Sequence, residues 1–166
     1  MPRRPKELTE DEIAEVNAQY HQYVHEARLE PMDYVTHDTN ARLDDSLRAL
    51  VTSCDTPTEG LAMGYRYWCL MELLASRKGH MYDVSTTFGW TLMAIDMSGA
   101  GVPTSEDDCR ELVRALLGVG LLSGDAYAES RVMSERICRN AERYAKGVAD
   151  KKIGAYKTNR AKAKTG

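Results

Sequence analysis

Residues 56–84 decide the fold, and they read TPTEGLAMGYRYWCLMELLASRKGHMYDV. The segment opens with a capping box that carries proline at the first helical position, Thr56–Glu59, which predicts the start of a helix. Residues 61–74 are apolar on almost every side, so this helix is predicted to be the central, buried one. Lys78 and Gly79 end it, and His80–Val84 is predicted to be a strand.

Two more helices and a hairpin are predicted after this strand. The first helix starts at Thr86 or Thr87, and the second covers residues 104–118, with its cap at the first or second of them. Leu121–Ala128, with a Ser-Gly-Asp turn in its middle, is predicted to be a β-hairpin. A last helix opens at Ser130.

From Pro57 to Glu129 the predicted order is helix, strand, helix, helix, strand, strand, which is the order of a winged helix-turn-helix. The predicted fold class is therefore mainly α with a small β-hairpin. It consists of a winged helix-turn-helix core, an extra N-terminal helix, and a basic C-terminal helix and tail.

The extra helix is predicted from Thr9 to Leu29, with Thr9 and Glu12 as a second capping box. Its apolar residues follow one narrow stripe, which must be covered either by its own domain or by a second copy of the chain. We favour self-association, helped by a short strand predicted around Tyr34. The residues expected in this contact are Ile13, Val16, Tyr20, Val24 and Tyr34.

Charge divides the chain into an acidic part and a basic part. From Ser130 to Gly166 there are eleven Lys and Arg against three acids, a net charge of +8. Because the whole chain carries −3, the residues before Ser130 sum to −11. A basic segment of this kind is typical of proteins that contact polyanions.

The basic part is predicted to be a helix with one apolar and one basic face, followed by a tail at residues 148–166 that is disordered when free. A tail that only confers solubility is the alternative to nucleic-acid contact. We favour nucleic-acid contact because the basic face and the basic tail are continuous, and Tyr156 could stack on a base of a single strand. The predicted contact residues are Arg136, Arg139, Arg143, Lys146, Lys151, Lys152, Lys157, Arg160, Lys162 and Lys164.

The helix that reads DNA in many winged helices is acidic at its start in this chain. It begins Glu106-Asp107-Asp108, and acids at this end oppose a DNA backbone with one charge per roughly 1.7 Å. We therefore expect these three carboxylates to face protein or water rather than a groove.

No catalytic residue, metal ligand or cofactor is assigned. His21 and His25 are four residues apart without an evident third ligand, and the adjacent His37 and Asp38 would point to opposite faces of a strand. The four cysteines fall singly in apolar helical patterns and are predicted to be reduced thiols. No apolar run approaches the roughly 20 residues of a membrane span, and no signal-peptide pattern is present, so a cytoplasmic protein is expected.

Three segments resemble signatures of one protein family. Tyr34–Ala41 followed by Asp44, Tyr67–Leu74 and Gly118–Leu122 are similar to the "PHD-x-NA", "YW-x-LLE-x-L" and "x-IGLF" patterns of phage and Gram-positive prophage proteins, including a listerial prophage group. The N-terminal module of these proteins resembles that of the primosomal protein DnaD. The similarity covers Asp33–Tyr144.

This resemblance implies a winged helix that self-associates and takes part in the initiation of phage or plasmid DNA replication. Thr36 stands where the family usually has proline, and the helix from Thr9 to Leu29 is extra. No second domain follows as it does in many relatives, so we expect an accessory protein rather than a full replisome organiser.

The sequence thus predicts three parts: an extension at 1–32, a winged-helix-like domain at 33–147 and a basic tail at 148–166. The predicted function is a non-catalytic DNA-binding replication accessory of the phage or prophage type, with the strandedness of the DNA left open. It is expected to form homo-oligomers and to bind host or phage replication proteins, and no membrane partner is expected. The alternative is an interaction adaptor or inhibitor that acts on a host factor without specific DNA binding.

Overall fold

The computed structural model of the protein describes residues 9–32, 44–101 and 103–163. Its elements in chain order are α1 (Glu10–Ala27), α2 (Asp45–Thr52), α3 (Pro57–Ser76), a 3-10 turn (Lys78–His80), β1 (Met81–Asp83), α4 (Thr87–Gly99), α5 (Glu106–Gly118), α6 (Gly124–Ala128), β2 (Arg131–Met133) and α7 (Glu135–Ala163). The protein is therefore mainly helical with a small antiparallel sheet, as predicted. The strand predicted around Tyr34 lies outside the described residues.

The chain divides into two compact units. The core unit comprises residues 30–141, and the helix-pair unit combines α1 with the part of α7 that starts at residue 142. Helix α7 thus contributes residues to both units. Among the described residues, no helix is long and apolar enough to cross a membrane.

The helix starts follow local capping chemistry. The Thr9 hydroxyl accepts a hydrogen bond from the Glu12 N–H (3.3 Å), and the Thr56 hydroxyl accepts one from the Glu59 N–H (3.2 Å). In both places the glutamate side chain bonds back to the backbone of the capping residue, so both predicted capping boxes are confirmed.

Helix α3 forms the centre of the core unit and packs against α2, α4 and α5. Its second half is buried, with Leu70, Met71 and Leu74 fully enclosed, which confirms a central helix. Its first half differs from the prediction, since the side chains of Leu61 and Tyr65 are 72% and 57% exposed. The apolar pattern alone did not reveal that the neighbouring helices leave this half uncovered.

The sheet pairs two strands that are far apart in the sequence. Strand β1 confirms the strand predicted at residues 80–84, and it runs antiparallel to β2 with Tyr82 opposite Val132. Both of these side chains are 1% exposed, so the sheet closes one side of the core.

The hairpin predicted at Leu121–Ala128 is wrong. Ser123 caps the short helix α6 there, its hydroxyl accepting from the Ala126 N–H at 3.4 Å, and the strand forms at Arg131–Met133 instead. A Ser-Gly-Asp sequence suits a helix N-terminus as well as a turn, which explains the error. The start predicted for the last helix is also wrong, because that helix begins at Glu135 rather than at Ser130. Ser130 has a left-handed φ of 59° and directly precedes strand β2.

The prediction of a disordered tail from residue 148 is also wrong for residues 148–163, because α7 continues to Ala163. Ala149 in this stretch is fully buried, and Ile153 and Tyr156 are half-buried. The segment therefore has a partner to pack against, which the local composition did not show.

A polar network ties β1 to α4. Asp96 accepts hydrogen bonds from the Tyr82 hydroxyl at 2.8 Å and from the Arg77 guanidinium at 2.9 Å, and that guanidinium lies 4.2 Å from the Tyr82 ring centroid. Burial, together with the Asp96 carboxylate, raises the pKa of Tyr82 above its ordinary value.

Tyr82→Phe is expected to lower the free energy of unfolding by about 1 kcal/mol at neutral pH, because the Asp96 carboxylate loses a hydrogen-bond donor. The raised folded-state pKa means that the unfolded chain releases this proton first as the pH rises past about 10. The contribution of Tyr82 is therefore present below that pH and lost above it. Urea denaturation at neutral and alkaline pH should show a smaller alkaline loss in the variant, and an equal loss in both proteins would contradict the assignment.

Candidate nucleic-acid interface

The helix-pair unit holds most of the basic residues predicted to contact nucleic acid. Glu15 of α1 accepts a hydrogen bond from the Tyr156 hydroxyl at 2.7 Å and forms an ion pair with Arg160 at 2.5 Å. Further along α1, the Lys152 ammonium lies 5.3 Å from the Tyr23 ring centroid. Glu15 contacts Tyr156 and Arg160, whereas the later residue Tyr23 contacts the earlier residue Lys152. The two helices therefore run antiparallel.

A narrow seam of small and medium side chains joins these helices. Val16 and Ala27 are the buried residues of α1, and Ala145 and Ala149 of α7 are fully buried. Alanines at such positions allow close approach of two helix backbones, since the distance between helix axes depends on the side chains at the contact.

The residues predicted for self-association differ in their exposure. Val16 is 7% exposed, and Tyr20 and Val24 are half-buried, all within one copy of the chain. Ile13 is 46% exposed. The stripe on α1 is thus partly covered within one copy of the chain, and self-association through it stays a prediction. Tyr34 lies outside the described residues.

The predicted nucleic-acid residues fall into distinct environments. Lys152 and Arg160 contact α1, as described above. Lys146 pairs with Glu142 at 3.0 Å on the surface of α7, and the neighbouring ammonium lowers the pKa of that carboxyl. Arg143, Lys151 and Lys157 are exposed, and none of the three forms an ion pair with any described residue.

Two of the predicted residues belong to the core unit. Arg139 forms an exposed ion pair with Glu135 at 3.6 Å, and the Arg136 guanidinium lies 5.4 Å from the centroid of the Trp68 ring. Lys164 and the side chain of Lys162 lie outside the described part of the chain.

The three exposed cations without ion pairs to the described residues, Arg143, Lys151 and Lys157, lie within about one third of the circumference of α7. Arg143 and Lys157 are separated by close to four turns of a helix with 3.6 residues per turn, about 21 Å along its axis, and Lys151 lies about 80° around the helix from Arg143. Asp150 is the only acid between Arg143 and Lys157 in the sequence. This side can therefore contact several phosphates of one duplex. Duplex DNA carries one charge per about 1.7 Å of its axis when both strands are counted.

The start of α5 is engaged locally. The Thr91 hydroxyl of α4 donates to Glu106 at 2.5 Å, and Asp108 accepts from the Ser105 hydroxyl at 2.7 Å. These bonds to the capping serine lower the pKa of Asp108. Arg110 of the same helix lies 4.4 Å from the Trp90 ring centroid. Two acids of α5 thus bind neighbouring protein groups, and the expectation that the three acids avoid a DNA groove stays a prediction.

Sequence reasoning missed a polar cleft of about 340 Å³ in the core unit. Asp44, Glu135, Arg136 and Arg139 line it, together with the hydroxyl-bearing Tyr67. The lining carries two acids and two bases, so it has no preference for one sign of ligand charge. The lining residues come from four segments of the chain, and no local signal links them.

Sequence reasoning also missed the role of Glu15. The available signal was the spacing of Tyr156 and Arg160, four residues apart and therefore on one face of a helix. His21 and His25 lie exposed on α1, while His37 and Asp38 fall outside the described residues. Within the described ranges, no three His, Cys, Asp or Glu residues are grouped so that they could hold a metal ion.

No known protein family, no curated protein and no solved structure matches this chain.

Proposed function

We propose that this protein is a non-catalytic nucleic-acid-binding protein that contacts the phosphate backbone through the exposed basic side of α7. The observation that carries this proposal is the set of three exposed cations, Arg143, Lys151 and Lys157, without ion pairs to the described residues. Cations that are not neutralised by the protein are the ones that release counterions from DNA.

The fold is compatible with a winged helix that lacks the first strand of its wing. The order α3, β1, α4, α5, β2 follows that of a winged helix-turn-helix, with α6 in place of the first wing strand. Together with the DnaD-like signatures at Tyr67–Leu74 and Gly118–Leu122, this supports a role as an accessory in phage-type replication initiation.

The test is an electrophoretic or anisotropy measurement of the affinity for duplex and single-stranded oligonucleotides across a salt series. We expect the affinity to fall as salt rises, with a log–log slope of about −0.9 per phosphate neutralised on duplex and about −0.7 on single strands. Three contacts on duplex would give a slope of about −2.7. Absence of binding at low salt would reject the proposal.

An interaction adaptor is the second candidate, favoured by large apolar side chains that the core unit leaves exposed. Phe88 and Ile95, seven residues apart on α4, are 72% and 61% exposed, in addition to Leu61 and Tyr65 on α3. Residues at this spacing share one face of a helix, as protein-binding anchors do. The partner of such an adaptor would be a host factor, and the absence of DNA binding in the salt series would favour this candidate.

A further inference from the structure

Helices α1 and α7 carry opposite charges where they pack. Between Glu10 and Ala27, α1 has five acids and neither Lys nor Arg, whereas residues 142–163 of α7 have seven Lys and Arg against two acids. The contacts agree with this charge pattern, since Glu15 accepts a hydrogen bond from the Tyr156 hydroxyl and forms an ion pair with the Arg160 guanidinium.

We propose that α1 acts as an internal competitor of nucleic acid: Glu15 and Tyr23 of α1 contact a second polyanion-binding face of α7, formed by Lys152, Tyr156 and Arg160, and a bound polyanion displaces α1 from it. This inference rests on the proposed function and adds its regulation. In the packed state Tyr156 and Arg160 are half-buried, whereas Lys152 is exposed but has its ammonium 5.3 Å from the Tyr23 ring centroid. Displacement of α1 would release the Arg160 guanidinium from Glu15, the Lys152 ammonium from Tyr23, and one aromatic ring that is able to stack on a base.

The contact of α1 is weak enough to be displaced. Within the described part of α1, only Val16 and Ala27 are buried, so the apolar seam is small. The Glu15–Arg160 pair is partly exposed, with 54% of the Glu15 side chain open to solvent, and exposed pairs contribute under about 1 kcal/mol. A nucleic acid offers many phosphates in place of one carboxylate, so it can compete for the same cations.

Competition between two ligands for one surface is reciprocal. Weakening the contact of α1 must therefore raise the affinity for nucleic acid, and bound nucleic acid must loosen α1. Both effects are measurable on the full chain.

The experiment compares Glu15→Gln with Asp11→Asn, a matched control on the same helix. Both variants remove one negative charge, but the Asp11 side chain is exposed and forms no hydrogen bond or ion pair with a described residue of α7. We expect Glu15→Gln to bind a duplex oligonucleotide up to about fivefold more tightly than Asp11→Asn does, as the loss of one exposed ion pair allows. Circular dichroism checks that the helix content is equal in the two variants.

Hydrogen exchange supplies the second measurement. In the wild-type protein, saturating duplex should reduce the protection of the α1 amides while the amides of α3 stay protected. Binding with unchanged α1 protection and equal affinities of the two variants would overturn this inference and leave the proposed function standing. Failure of all three proteins to bind either duplex or single-stranded DNA at low salt would overturn both.

Discussion

Replacing Gly89 with alanine is expected to destabilise the core unit by about 3 kcal/mol or more. A Cβ on Gly89 would overlap the carbonyl oxygen of Asp83, and it would lie 2.8 Å from the carbonyl carbon of Asp83 and 3.0 Å from the Val84 Cα. These are backbone atoms at the end of β1, so they cannot rotate away as a flexible side chain can. The start of α4 would have to move off the strand.

Gly99→Ala is the matched control for this prediction, since Gly99 lies at the other end of the same helix and an added Cβ would have nothing within 4 Å. It should leave stability unchanged or raise it by up to about 1 kcal/mol. Urea denaturation of both variants measures the difference. Equal stabilities would mean that α4 and β1 are not packed as closely as the structure shows.

The features predicted from sequence are the local ones. The Thr9 and Thr56 hydroxyls each accept a hydrogen bond from the backbone N–H three residues later, so the start of each helix is determined within one turn of the chain. Strand β1 was found for a similar reason, because Gly79, at a positive φ of 75°, lies in the 3-10 turn between α3 and β1 and marks the boundary between them. Such signals do not depend on the rest of the fold.

The features that were missed depend on partners far away in the sequence. Strand β2 forms because Val132 meets Tyr82, and no pattern within residues 121–133 reveals that pairing. Residues 148–163 are helical where they lie against α1, over 120 residues earlier in the chain, as the Tyr156 bond to Glu15 spans 141 positions. Composition correctly identified these residues as basic and polar, but it did not show that Tyr156 and Arg160 bind Glu15 of α1.

The sequence predicted the basic charge of the candidate site, and the structure changes the predicted arrangement of its residues. The basic residues were named one by one from the sequence, yet the structure separates them into cations that contact α1, such as Arg160, and cations that face solvent, such as Arg143. A uniform flexible arm would present all of them equally. The two faces of α7 instead have different accessibility, and this difference decides which substitutions should matter most.

The triple variant Arg143→Gln, Lys151→Gln, Lys157→Gln is expected to show the largest loss of nucleic-acid affinity. If each cation neutralises one phosphate, the log–log salt slope on duplex flattens by about 2.7, and at about 0.1 M salt the affinity falls on the order of a hundredfold. Folding should be preserved, because all three side chains are exposed and none forms an ion pair with a described residue.

A matched control with the same change in net charge is Arg48→Gln, Lys78→Gln, Arg114→Gln, in which three exposed cations of the core unit are replaced. Arg48 and Lys78 pair with carboxylates at 3.7 Å and 3.5 Å, so they have fewer counterions to release. If affinity depended only on net charge, the two triple variants would bind equally and the interface on α7 would be wrong. A loss of affinity confined to the α7 variant, with the salt slope preserved in the control, would locate binding on this helix. The salt slope depends on the number of phosphates that the protein neutralises, and charges elsewhere on the protein do not change it.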